Sequence, residues 1–389
     1  MKKIYVGIIV ATIVLICCTV FQNYNLVELA IEQNGTIQVV FYIIVAVVIA
    51  ILTASYVKKH IEQNMYKSTV KKMKTTEEFE VIYKEIKLKL ENEFKEIKKK
   101  LLLSSILLFV LAAIFAIMVM SFKNPFLMGE EGNAFSIINS TILTILGIGT
   151  IILVIYVLKC LKKYNNTYKY EVIGGFVKYM NSNLEYGSKN SEVEKIIKKH
   201  YINSKFEKER IDIFFAEDFI IGNLNKDTYI AIADIHVEKE ENIEKNEPLR
   251  ILFNGLFATT TINKNINTTI RILNNEIKIV ADDDFVKLDS QEMEKNFDVY
   301  ATNKMLVMRL FTPEIMEMIN KFYNQYKIRF EIIVNNNLVY FRFHTGNMFE
   351  TRLIEDPFKQ ERLFMYYTTL KLLLDLTEKF NENLNNLDI

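Results

Sequence analysis

Asp234, His236 and Glu238 alternate along the stretch Thr228–Val237 and its border. On a β-strand residues two apart leave the same face, so the three would project together. A carboxylate–imidazole–carboxylate row could ligate a metal ion or move a proton in general acid–base chemistry. The competing reading is a solvated strand face. Asp282, Asp283 and Asp284, with Asp289 nearby, form a second candidate, a cation loop. Hard cations need several carboxylates converging on one point, and a plain polar turn has the same composition. Glu217-Asp218 is another acidic pair of the same standing. The histidines His60, His200, His236 and His344 are too dispersed for a local metal motif. The phosphate-cradling GxxxxGK(S/T) pattern, HExxH, GxSxG, GxGxxG and the calcium-loop pattern are all missing. Gly147-Ile148-Gly149 falls inside an apolar run. No nucleophile–base pairing is readable, and no cofactor is expected.

Composition sets the frame for those residues. The 389-residue chain is 50% hydrophobic with mean hydropathy +0.11, yet 24% of its residues are charged. Such an average fits a membrane part joined to a water-soluble part. The net charge of +1 gives no basic excess, so a nucleic-acid partner is not expected. Cys17, Cys18 and Cys160 build no pairing framework, and CxxC is missing, which argues for a reducing compartment. Richness in Lys, Asn and Ile points to a bacterial source with AT-rich coding.

Four apolar runs stand out: Ile4–Phe21, Ile37–Val57, Leu101–Phe122 and Ile137–Leu158. Each is long enough to cross roughly 30 Å of hydrocarbon. The segment 58–100 holds thirteen lysines, Lys2-Lys3 precede the first run, and Lys159, Lys162 and Lys163 follow the fourth. The intervening loops are nearly free of Lys and Arg. By the positive-inside rule both termini then lie in the cytoplasm, giving a multi-pass protein of the bacterial inner membrane. A cleaved signal peptide is the alternative for the first run, but no small-x-small cleavage site follows it. Small residues four apart, such as Ala112/Ala116, mark possible helix-packing seams. No Asp, Glu, Lys or Arg lies inside a run, which argues against ion transport.

The expected organisation is a first transmembrane hairpin over 1–57, a cytoplasmic Lys-rich amphipathic helix over 58–100, a second hairpin over 101–158 and a cytoplasmic α+β domain over 159–389. From Phe79, apolar residues at Tyr83, Ile86, Leu90, Phe94 and Ile97 define one helix face. Lys98, Lys99 and Lys100 close that helix and could contact anionic lipid. Strands are predicted at Thr228–Val237, Leu249–Ile262, Thr268–Leu273 and Glu276–Val280. Thr312-Pro313-Glu314 predicts a helix start. Ile328–Val334 and Leu338–His344 read as a hairpin, and Asp356-Pro357 opens the last helix.

The stretches Leu252-Phe253-Asn254-Gly255-Leu256-Phe257, Ile262-Asn263-Lys264, Phe297-Asp298-Val299-Tyr300 and Phe311-Thr312-Pro313-Glu314-Ile315-Met316, with the hairpin Phe330–Phe343, recur in this order and spacing in one family. On these residues the chain resembles the DUF3137 family, bacterial membrane proteins of unknown function, over roughly residues 77–389. The resemblance implies a transmembrane pair followed by a cytoplasmic α+β domain. Between Tyr300 and Thr312 this chain is more apolar than its relatives, so a charged pocket there is not expected. Together these readings predict a membrane-anchored binding or regulatory module at the inner face, contacting the bilayer and a protein partner or second copy. The alternative is a membrane-associated, metal-assisted hydrolase.

Overall fold

The computed structural model describes residues 75–121, 132–240, 249–275, 285–351, 353 and 355–386. It divides the chain into two units. One holds Glu91–Asn165, and the other holds Thr69–Leu90 with Asn166–Ile389, so far as these are described.

The helical unit is built from α1 (Glu77–Ser121), from Glu91 onward, and α2 (Gly132–Asn166). Glu93 pairs with Lys163 at 3.1 Å, and Phe94 meets Tyr164 edge-to-face at 5.1 Å. Lys98 lies 5.8 Å above the Tyr164 ring. These contacts set the lysines of the two helices at one level. Beyond that level large apolar side chains are exposed: Leu103 and Leu107 on α1, and Ile145, Ile148, Ile152 and Ile155 on α2.

The expected four-span membrane part does not hold. Among the described residues one helical stretch, Thr144–Met180, is long and apolar enough to cross a membrane, with 6% of its apolar window buried. The runs Ile4–Phe21 and Ile37–Val57 lie outside the described residues, as does the amphipathic segment before residue 75. Leu101–Phe122 is no separate element; through Ser121 it is the second half of a 45-residue helix that begins among charged residues. Hydropathy finds apolar composition but not helix ends, and here the helices run across the boundaries drawn at 100/101 and 158/159.

In the second unit an eight-stranded antiparallel sheet runs in the order β1-β2-β3-β4-β8-β7-β5-β6. Its strands are β1 (Leu184–Gly187), β2 (Ile213–Asn223), β3 (Tyr229–Lys239), β4 (Arg250–Thr261), β5 (Thr269–Asn274), β6 (Phe297–Ala301), β7 (Phe330–Asn335) and β8 (Leu338–Phe343). The α+β expectation for this part is met. A π-helix (Thr167–Ile173) and α3 (Gly174–Met180) precede β1, and α4 (Ser191–Ser204) follows it. Short helices α5 (Gln291–Asn296) and α6 (Lys304–Leu310), then α7 (Pro313–Tyr326) and α8 (Gln360–Asn385), complete the unit.

One sheet face packs Ile197 and Tyr201 of α4 against Phe214, Ala233, Ile235, Val237 and Phe257. On the other, Ile220 and Ile232 meet Val177 of α3 and Leu370 of α8 around a small void. Phe79 of α1 is sandwiched by Phe176, Phe364 and Tyr367, at centroid distances of 5.7, 4.9 and 5.6 Å. Gly255 lets β4 approach β8: a Cβ there would stand 2.1 Å from the Phe343 carbonyl oxygen.

Thr312 and Pro313 sit at the N-cap and first turn of α7 as predicted, although the Thr312 hydroxyl makes no capping bond. The β7–β8 hairpin turns at Asn336, whose φ of 56° is left-handed. The last helix starts at Gln360, after the turn at Asp356-Pro357. The predicted strand Glu276–Val280 lies outside the described residues.

Candidate functional site

Three local irregularities bring charged groups together beside β2. The first is the π-helix, a rare wider turn that occurs frequently at functional sites; it carries Lys169. The second is a slip in the β2–β3 ladder between Glu217 and Ile220. The third is Asp218 inside that slip, with a left-handed φ of 57°. Asp is among the few residue types that adopt this conformation readily. The Asp218 N–H leaves the ladder and donates to the Ser188 carbonyl oxygen at 3.0 Å.

Lys169 Nζ lies 2.7 Å from Asp218 Oδ2 and 3.4 Å from Glu350 Oε2. The Tyr186 hydroxyl donates to Asp218 Oδ1. Oxygens of Glu217, Asp218 and Glu350 all lie within 4.8 Å of one another, close enough to share a metal ion. Asp234 stands opposite Glu217 in the ladder. Its Oδ2 accepts the Phe349 N–H at 3.0 Å, whereas its buried Oδ1 has no hydrogen-bond partner among the described residues.

The electrostatics follow from one ammonium among four carboxyl groups. Burial, together with the charge of Asp218, pushes Asp234 well above the ordinary carboxylate range. Burial also raises Glu217. Burial alone would lower Lys169, but Asp218 and Glu350 outweigh it and hold the ammonium charged. Such a cluster can hold a proton or a cation in a low-dielectric setting.

A second buried network lies at the β7–β8 hairpin. Glu331, 0% exposed, accepts from Arg342 Nε at 2.7 Å and lies 3.1 Å from His344 Nε2. Arg342 also bonds Glu207, and its guanidinium stacks 4.7 Å from the Phe206 ring centroid and 5.5 Å from that of Phe253. Burial lowers His344, outweighing the hydrogen bond to Glu331 that favours its charged form.

The predicted row Asp234–His236–Glu238 is divided. His236 Nε2 and Glu238 Oε1 pair at 2.6 Å, while Asp234 belongs to the Lys169 cluster. Asp282, Asp283 and Asp284 lie outside the described residues. Lys98 stacks on Tyr164, and Lys99 and Lys100 are exposed. Sequence reasoning missed Lys169, Tyr186 and Glu350. The signals for the site were the pair Glu217-Asp218 and Asp234 of the predicted row; the bulge and the π-helix that assemble the rest leave no pattern in composition.

Residues 251–382 match the DUF3137 family model, described as a protein of unknown function. The matched segment runs from β4 into α8. It is shorter than the span of roughly 77–389 expected from the resemblance. The DUF3137 segment supplies Glu331, Arg342, His344 and Glu350, whereas Lys169, Glu217, Asp218 and Asp234 precede it. Among curated proteins nothing matches. Among solved structures, the mycobacterial trehalose monomycolate transport factor A, TtfA, is similar at 11% identity with a TM-score of 0.34, covering 57% of this chain and 94% of that one.

Proposed function

We propose that the chain is a membrane-tethered binding module of the bacterial cytoplasmic membrane, anchored through the apolar helix α2. The observation that carries this reading is the sharp division of the helical unit. Exposed Ile145, Ile148, Ile152 and Ile155 lie on one side of a level marked by Lys98, Lys99, Lys100, Lys159, Lys162 and Lys163. Exposed isoleucines in water would cost roughly 25 cal/mol per Å² of apolar surface, and lipid removes that cost. Basic side chains at one end favour the cytoplasmic headgroups, where each contributes about 1 kcal/mol against an anionic surface. The sheet unit then faces the cytoplasm, where it binds a protein partner or small ligand.

The experiment is alkaline carbonate extraction of membranes, followed by flotation with vesicles of neutral or anionic lipid. The wild-type chain should stay with the membrane through the carbonate wash. Replacing Lys99, Lys100, Lys159 and Lys162 with Glu should weaken flotation with anionic vesicles only. Release of the wild-type chain by carbonate would refute the tether.

A further inference from the structure

We propose that Glu217, Asp218, Asp234 and Glu350 form a binding site for one divalent cation of the hard, oxygen-seeking class. The inference concerns the sheet unit and does not depend on the membrane reading.

Two independent observations carry it. Three carboxylates already converge, their oxygens within 4.8 Å of one another. Beside them Asp234, only 4% exposed, holds Oδ1 without a hydrogen-bond partner among the described residues. Its position is fixed on both sides: Glu217 is its ladder partner, and the Phe349 N–H that binds its Oδ2 belongs to the residue before Glu350. Buried polar atoms in folded proteins are almost always paired. A cation shared with the three carboxylates would give Oδ1 a partner.

The charge balance points the same way. With all four carboxyl groups ionised, as ligation requires, Lys169 leaves three negative charges in a largely buried place. A divalent ion reduces that to one. Every donor is a carboxylate or phenol oxygen, with no His or Cys, which selects Ca²⁺, Mg²⁺ or Mn²⁺ over Zn²⁺ or Cu²⁺. Lys169 is the internal competitor. Its ammonium, 2.7 Å from Asp218 and 3.4 Å from Glu350, holds the carboxylates together before the ion arrives and must yield part of their charge to it.

The test uses the full chain, purified in detergent and stripped with chelator, titrated with Tb³⁺. The protein has no Trp, so sensitised emission must come from tyrosine, and Tyr186 is hydrogen-bonded to Asp218. Saturable emission at one ion per chain, displaced by Ca²⁺, is expected. Glu217→Gln and Asp234→Asn should each weaken the apparent affinity about tenfold, and Lys169→Met should strengthen it. Emission that never saturates, or that is unchanged in both carboxyl variants, overturns the proposal. Should a variant fail to fold, the wild-type thermal midpoint decides: Ca²⁺ should raise it by several degrees, and no rise overturns the site.

Discussion

Asp234 and Glu217 face each other across the β2–β3 ladder, two carboxyl groups paired where a sheet ordinarily pairs opposite charges or apolar groups. Burial, together with the charge of Asp218, pushes Asp234 well above the ordinary carboxylate range.

The pH dependence follows from that displacement. Folded Asp234 retains a proton that the unfolded chain releases above about pH 4, so its contribution to stability falls as pH rises from there toward the folded value. Asp234→Asn carries no such dependence. With chelator present, the denaturation midpoint of Asp234→Asn relative to wild type should therefore rise as pH increases from about 5. Each unit of displacement is worth about 1.4 kcal/mol. A pH-independent difference would show that Asp234 is not displaced.

The hairpin network predicts strong non-additivity. Glu331→Gln leaves Arg342 buried with a weakened partner set and should cost about 3–5 kcal/mol in denaturant unfolding. The double change Glu331→Gln with Arg342→Met removes both charges and should recover most of that loss, measured as a double-mutant cycle with Arg342→Met alone.

Gly255→Ala tests the close approach of β4 and β8. The new methyl group would stand against the Phe343 carbonyl oxygen and the Thr345 N–H, which stand 2.1 and 2.9 Å from the added Cβ. Because the neighbours are backbone, the strands must separate. A loss of about 3 kcal/mol is expected, whereas a loss below about 0.5 kcal/mol would contradict the register.

Charged substitution of the anchor should release the chain. Ile148→Lys and Ile152→Lys each place an ammonium on the exposed face of α2, at about 2.5–3.5 kcal/mol apiece in a bilayer centre. Carbonate extraction of the double variant should move most of the protein to the supernatant. Circular dichroism should show its helix content unchanged.

The sequence was legible where structure follows periodicity. The start Thr312-Pro313-Glu314 became the first turn of α7, and the alternation in Thr228–Val237 became β3. Asn335–Asn337 turned a hairpin because Asn accepts a left-handed φ, as Asn336 does. Charge was read less well. Glu331 is wholly buried because Arg342, a residue of the neighbouring strand, pairs with it, and strand alternation does not reveal that partner. Lys169 and Glu350, 181 positions apart in sequence, meet only through a π-helix and a strand slip. Hydropathy failed in a different way. It divided α1 at Lys100, where the backbone makes no break.

Protease accessibility of the sheet unit in sealed vesicles of either orientation tests the tethered-module account most directly. The account predicts that residues C-terminal to α2 are digested in inside-out vesicles and protected in right-side-out ones, while α2 stays with the lipid. Digestion only in right-side-out vesicles would place the unit on the wrong side. Recovery of the intact chain in the soluble fraction would remove the tether altogether.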